Sequence, residues 1–127
     1  MIYKKMSNVK NLSASDFFIR NNEVYINTPV INGKPFMLLV HANYCGHCVR
    51  FAPDYANLSR QTNRFNFLAL EAEDMKRNPR LADALKIQGY PTILFGNAKG
   101  LVAEEFNGDR SIGSLTNKIK SVCKYCI

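Results

Sequence analysis

Apolar residues along this chain fall into runs whose spacing changes, and each change marks an element. Phe36 to Ala42 is nearly continuous apolar sequence, as in a strand covered on both faces. Asn43-Tyr44 leads out of it. From Cys45 to about Gln61 the spacing turns helical, with Val49, Ala52, Ala56 and Leu58 forming an incomplete apolar face. Pro53 falls inside that stretch and is expected to bend it, because proline has no amide proton to give the preceding turn. Phe65 to Leu70 reads as a second strand with both faces apolar. Pro79 suits the first turn of a short helix carrying Leu81, Ala82, Leu85 and Ile87 and ended by Gly89. Thr92 to Phe95, a turn over Asn97 to Gly100, and Leu101 to Phe106 predict a hairpin. After Gly108-Asp109, the residues Ile112, Leu115, Ile119 and Val122 recur at three- and four-residue steps and predict a last amphipathic helix.

The amino-terminal third is less regular. Ser15-Asp16 is expected to cap a short helix that buries Phe17, Phe18 and Val24. Glu23 to Val30 reads as extended, and Asn32-Gly33-Lys34-Pro35 as a turn. The order strand, helix, strand, helix, strand, strand, helix requires an α/β fold, a mixed β-sheet flanked by α-helices. No repeat, linker or low-complexity tract interrupts it. Residues 1–127 are therefore expected to form a single domain, with an amino-terminal extension and a carboxy-terminal cysteine pair.

Composition narrows the function classes. The chain has 127 residues and is 46% hydrophobic, enough for one core without metal or disulfide staples. The net charge is +7, spread over the amino terminus, Lys76-Arg77-Arg80, and Lys118, Lys120 and Lys124. Such a surface can steer acidic partners. No aromatic-basic platform or zinc-finger spacing accompanies it, so a solvated basic surface and no specific nucleic acid are expected. No apolar run approaches the ~20 residues of a bilayer span, so no membrane is expected either. Met1 to Lys10 leads into Asn11, Ser13, Ser15 and Asp16 rather than an apolar export segment, which predicts a cytoplasmic or intracellular protein.

The chemistry concentrates at Cys45-Gly46-His47-Cys48, where the buried strand gives way to the helix. A cysteine attacks a disulfide as thiolate, and amides at a helix amino terminus favour that charge. Cys45 is thus expected to be the nucleophile. Cys48, one helical turn later, is expected to attack the resulting mixed disulfide and release the partner. Gly46 allows close backbone approach, and His47 either supports the thiolate charge or is simply solvated. Zinc is the alternative use of the pair; it would need Cys123 and Cys126, or a histidine, as further ligands. In Gly89-Tyr90-Pro91-Thr92 the proline stands directly before an apolar strand. It either starts the strand plainly or follows a cis peptide bond that exposes backbone polar groups to a partner.

With these motifs in view, the sequence from Phe36 to Val122 resembles the thioredoxin fold, and most closely the catalytic domains of protein disulfide isomerases. Cys45-Gly46-His47-Cys48 matches the isomerase form of the active site, Pro53 the kink proline, and Gly89-Tyr90-Pro91-Thr92 the cis-proline loop. Gly108 and Arg110 resemble the glycine and arginine before the last helix. The resemblance implies a protein thiol–disulfide oxidoreductase that reduces, oxidises or isomerises protein disulfides without a bound cofactor. Cys45, Cys48 and His47 would be catalytic. Tyr44, Gly46, Tyr90 and Pro91 would meet the substrate, and Arg110 would adjust the proton affinity of Cys48. Partners would be protein or peptide thiols and disulfides, with glutathione or a redox protein as the exchange partner. A redox-sensitive polypeptide-binding module with little turnover is the alternative.

The departures matter as much. Tyr44 stands where the relatives have tryptophan. Leu39 stands where they bury an acidic residue, and an ungapped comparison back from Pro91 puts Ala72 at the matching lysine. Losing both charges together need not cost stability. It removes a proton route, unless His41, Glu71 or water substitutes. One domain without an evident signal fits a compact intracellular or virus-associated enzyme better than a luminal isomerase; the 14 asparagines show a compositional bias without identifying a source. Cys123-Lys124-Tyr125-Cys126 closes the last helix and is expected to lie on the far side from Cys45. Shuttling between molecules, an intermolecular disulfide in a redox-dependent homodimer, partner docking, and an incidental or structural pair all stand as readings.

Overall fold

The computed structural model describes residues 7–127; Lys4 and Lys5 of the basic amino terminus lie outside them. The described elements are β1 (Lys10–Leu12), a 3-10 turn (Ala14–Asp16), β2 (Phe17–Arg20), β3 (Glu23–Ile26), α1 (Thr28–Ile31) and β4 (Phe36–His41). They continue with α2 (Gly46–Ser59), β5 (Asn66–Glu71), α3 (Ala72–Met75), α4 (Pro79–Leu85), β6 (Thr92–Gly96), β7 (Val102–Glu105) and α5 (Ile112–Val122). Five strands pair in the order β1-β5-β4-β6-β7. β1, β5 and β4 run parallel, while β6 and β7 are antiparallel to their neighbours. This is the expected mixed sheet flanked by helices.

β4 is the centre, and every one of its residues is buried. Its alternation divides the core. Met37 and Leu39 face α2 and α5 with Phe51, Tyr55, Leu115 and Ile119. Phe36, Leu38 and Val40 face the other layer with Leu81, Leu85, Val24 and Ile26. Tyr55 fastens α2 to the sheet, because its buried hydroxyl lies 3.1 Å from the Met37 carbonyl and 2.8 Å from that of Leu68. β4 and β5 are thereby tied to the helix that begins at the cysteine pair.

The amino-terminal third departs from the sequence pattern. The helical turn stops at Asp16, and Phe17 and Phe18 form β2, which turns at Asn21-Asn22 and pairs with β3. Phe17 is buried, whereas Phe18 is 37% exposed and stacks on Tyr25. Alternation in a two-stranded hairpin sends neighbouring phenylalanines to opposite faces. The extended run ends at Ile26, and Thr28–Ile31 is helical with Pro29 in its first turn. β1 and α3 add two elements that the pattern did not reveal. α4 stops at Lys86, which takes the left-handed cap at φ 59, three residues before Gly89. In α2 the buried face runs through Cys48, Phe51, Ala52, Tyr55 and Leu58; Val49 is instead 50% exposed.

Gly100, at φ +93, closes the β6–β7 turn where any side chain would strike the Ile26 carbonyl. That approach lets the Ile26 amide donate to the Gly100 carbonyl at 2.8 Å, pinning the small hairpin to the sheet.

Candidate active site

β4 delivers the chain to Ala42, and the Cys45 amide donates back to the Ala42 carbonyl at 3.0 Å, setting Cys45 as the cap of α2. The Cys48 amide donates to the Cys45 sulfur at 3.3 Å. A side-chain acceptor at this position satisfies an amide that the helix cannot. Both cysteines are free thiols, Cys45 partly exposed and Cys48 fully buried. The Cys45 thiol points at the Tyr90 carbonyl oxygen, 3.5 Å away, and the Tyr90–Pro91 peptide bond is cis. The sequence-predicted cysteines and the Tyr90-Pro91 loop thus meet at one place.

The two sulfurs have opposite electrostatics. Burial pushes Cys45 upward. That push is outweighed by hydrogen bonds from the Cys48 thiol and from the Cys48 and His47 amides, and by the Arg110 guanidinium, so the net shift is downward. Burial pushes Cys48 up to about 11, helped by its hydrogen bond to Cys45 and by the Cys45 charge. The Ala42 amide and Arg110 oppose that rise without cancelling it. One thiol is readied to ionise at the surface and its neighbour keeps its proton, a closely spaced cysteine pair with redox-active potential.

His47 is exposed, and its Nδ1 lies 3.0 Å from Arg50 Nη2. Arg50 was not among the sequence-derived site residues, although its i,i+3 spacing from His47 is visible in the chain. Tyr44 is 73% exposed. Together with Val49 it leaves an apolar rim beside Cys45, which the reading of Val49 as a core residue had hidden. Gly46 opens α2, where an added Cβ would lie 3.2 Å from Arg50 Nη1.

Beneath the site, β4 pairs Leu39 with Ala69, not with Ala72. Ala72 lies past the strand as the first residue of α3. Leu39 and Ala69 are both buried in one apolar cluster, so the strands carry no charge pair there. His41 is buried opposite Glu71; burial lowers its pKa, with the Glu71 charge pulling the other way. Glu71 accepts from the Asn43 amide at 3.3 Å and caps α3 by accepting from Glu73 at 2.7 Å.

Cys123 and Cys126 form a disulfide with Cα atoms 5.4 Å apart. It closes just after α5, Cys123 being the extended cap residue. α2 and α5 both start near the active site, α5 following the Arg110 that acts on Cys45. They run about 21 Å and about 16 Å from it, taking ~1.5 Å per residue. The terminal pair sits where they end, with the Cys126 sulfur 3.3 Å from the Arg64 carbonyl oxygen. The two cysteine pairs are therefore not brought together as a four-sulfur site. Among the described residues no three His, Cys, Asp or Glu cluster as metal ligands, and no helix is long and apolar enough to cross a membrane.

Residues 18–121 match the thioredoxin family. The protein disulfide-isomerase of Zea mays is 31% identical over 91 residues, 68% of this chain and 18% of that protein. That of Saccharomyces cerevisiae is 31% identical over 123 residues, 94% of this chain and 23% of its own length. The chain thus spans about a fifth of the curated relatives it matches. A crystal structure of spinach chloroplast thioredoxin f in its short form has a TM-score of 0.68 at 22% identity, covering 94% of this chain and 98% of that one.

Proposed function

Because this chain belongs to the thioredoxin family, we propose that it is a protein thiol–disulfide oxidoreductase in which Cys45 attacks and Cys48 resolves. The observation that carries this is the split between the sulfurs: the exposed one is lowered in pKa and the buried one raised. The Cys45 thiolate attacks a substrate disulfide, forming a mixed disulfide and expelling the other substrate sulfur as a thiolate that takes a proton. Cys48 then loses its proton and attacks Cys45 Sγ. The substrate leaves reduced and the Cys45–Cys48 disulfide remains. Two electrons and two protons have passed to the substrate, and the reverse sequence oxidises a dithiol. Protein thiols are the substrates that the exposed rim of Tyr44 and Val49 favours, with the Tyr90-Pro91 loop aligning an extended segment. Glutathione or a redox protein would reset the pair.

The apolar Leu39–Ala69 pair favours a second reading, a polypeptide-binding module with little turnover, because it offers no buried proton acceptor for resolution. A trap separates the two. Cys48→Ser, incubated with an unfolded disulfide-bonded protein, should accumulate an adduct through Cys45, seen on non-reducing gels and by mass spectrometry. The wild-type chain should instead turn over insulin above the dithiothreitol background. An adduct with no turnover favours the binding module. No adduct, or an equal one in Cys45→Ser/Cys48→Ser, sinks the oxidoreductase.

Arg110 is exposed at the start of α5 and favours both thiolates by its charge. Arg110→Gln is expected to raise both thiol pKa values and slow attack by Cys45 near neutral pH by roughly two- to fivefold, the range an exposed charge pair supports. Thiolate absorbance against pH and rapid alkylation read this directly. The difference should shrink in high salt, and an unchanged titration would remove Arg110 from the scheme.

A further inference from the structure

The terminal disulfide is held in a way that fits reversible use better than stapling. A bridge closing a four-residue loop restrains the unfolded chain less than one closing a long loop. Its surroundings are also anchored without it. Cys126 is buried in the main core, with Cys123 and Ile127 packed against that cluster. Arg64 Nη1 donates to the Tyr125 carbonyl at 3.3 Å, fixing the loop between the two cysteines from outside. The reduced form is provided for as well: a Cys126 thiol would find the Arg64 carbonyl oxygen 3.3 Å away as acceptor. Cys123 is partly exposed while Cys126 is buried, so of the two residues Cys123 is the more open to an incoming thiolate. The exposed Lys124 and Arg64 beside it present positive charge to such an anion.

From this geometry we infer that Cys123–Cys126 is a second exchange site, passing an electron pair to or from the Cys45–Cys48 pair of a second copy of this chain. It rests on the function proposed above. Transfer within one molecule is barred, because α2 and α5 separate the two pairs by their full lengths. In the forward direction the Cys45 thiolate attacks Cys123 Sγ. The Cys123–Cys126 bond breaks, Cys126 leaves as a thiolate and takes a proton, and a Cys45–Cys123 bond joins the copies. Cys48 then gives up its proton and attacks Cys45 Sγ, expelling Cys123, which is protonated in turn. One copy ends with a Cys45–Cys48 disulfide and the other with a terminal dithiol; no further oxidant or reductant enters. Resolution by Cys48 breaks the bond between the copies, so the contact is transient.

Two full-length variants test this. Cys123→Ser/Cys126→Ser keeps only the active-site pair, and Cys45→Ser/Cys48→Ser keeps only the terminal pair. Mixed with one reduced and the other oxidised, and in the converse starting states, they should exchange two thiols in one of the two directions. Acid quenching and alkylation with a heavy maleimide count the thiols. The rate should exceed by roughly tenfold that of an equal concentration of dithiothreitol acting on the terminal pair. Adding Cys48→Ser to the first variant should trap a Cys45–Cys123 adduct identifiable by peptide mass. Cys123→Ala/Cys126→Val, which refills the buried sulfur's space, replaces the serine form if circular dichroism shows that form unfolded. No exchange in either direction, exchange no faster than dithiothreitol, or an adduct through Cys126 overturns the inference. If the active-site variant still reduces insulin, only this inference falls; if it does not, the proposed function falls with it.

Discussion

In single turnovers with a labelled disulfide peptide, attack by Cys45 is expected to level off at a lower pH than release of the peptide by Cys48. Release should go on accelerating between about pH 7 and about pH 9, after attack has levelled off. Each step needs its own thiolate. Cys45 is lowered by the Cys48 and His47 hydrogen bonds and by Arg110 against the upward push of burial, so its thiolate fraction saturates below the ordinary thiol range near ~8.5. Cys48 in the dithiol stands at about 11, first through burial and then through the hydrogen bond and charge of Cys45. Once Cys45 is tied up in the mixed disulfide, its charge no longer acts, but burial still holds Cys48 above an ordinary thiol. Its thiolate fraction therefore keeps rising with pH after that of Cys45 has saturated. Stopped-flow attack and quenched release, followed separately, give the two profiles. Cys48→Ser should abolish the release phase alone, and Cys45→Ser both phases. Two profiles that level off together would show that burial of Cys48 does not govern resolution. The same raised value sets a stability trend. The folded state holds the Cys48 proton more tightly than the unfolded one, so its contribution is complete below the unfolded thiol value and is lost as pH rises through about 11.

Elements that were legible in the sequence are those whose period is enforced by burial over several residues. β4 is apolar throughout because both faces are covered, and α5 is legible because Leu115 and Ile119 meet the sheet, although Ile112 and Val122 at its ends are exposed. The cysteine pair was legible for a related reason, since a strand ending at a CxxC leaves one sulfur on a helix cap. The β2–β3 hairpin was not, because each strand has four residues, too few for alternation to stand out. Its signal was local: Asn21 and Asn22 both take positive φ, at 54 and 64, as a two-residue turn between strands demands, and asparagine tolerates that region. Val49 was misplaced because helical spacing fixes a face only relative to its anchors. Phe51 and Tyr55, not Val49, bind α2 to the sheet. The backbone part of the site left no mark on side-chain identity. The Ala42 and Cys48 amides and the Tyr90 carbonyl act on the sulfurs through main-chain atoms that any residue supplies. Ala72, which the ungapped comparison back from Pro91 picks out, lies past β5 at the start of α3, whereas strand register sets Ala69 across from Leu39.

Leu39→Asp is expected to destabilise the chain by roughly 3–5 kcal/mol at neutral pH, a large part of the ~5–15 kcal/mol that holds a typical domain together. Leu39 is fully buried, packed with Met37, Phe51, Tyr55 and Ile93, and its ladder neighbour is the methyl group of Ala69. The substitution removes apolar contacts and leaves a cavity, and it puts a carboxylate where no cation stands across the strand. The carboxyl escapes part of the second cost by keeping its proton. Its folded pKa is then raised above the unfolded value, so the variant is least harmed below about pH 4 and loses further stability as pH rises through the raised value. Leu39→Asn separates the contributions, since it makes a similar cavity and a polar group with no charge to titrate. Urea unfolding at several pH values should give a loss that grows with pH for the aspartate and stays flat for the asparagine. Equal, pH-independent losses would mean that the carboxylate finds a partner or solvent inside the fold. The wild-type pair of leucine and alanine avoids that cost because both positions are apolar together. The consequence falls on the chemistry above it: with no buried carboxylate on these paired positions to accept the Cys48 proton, resolution follows the pH of the solution.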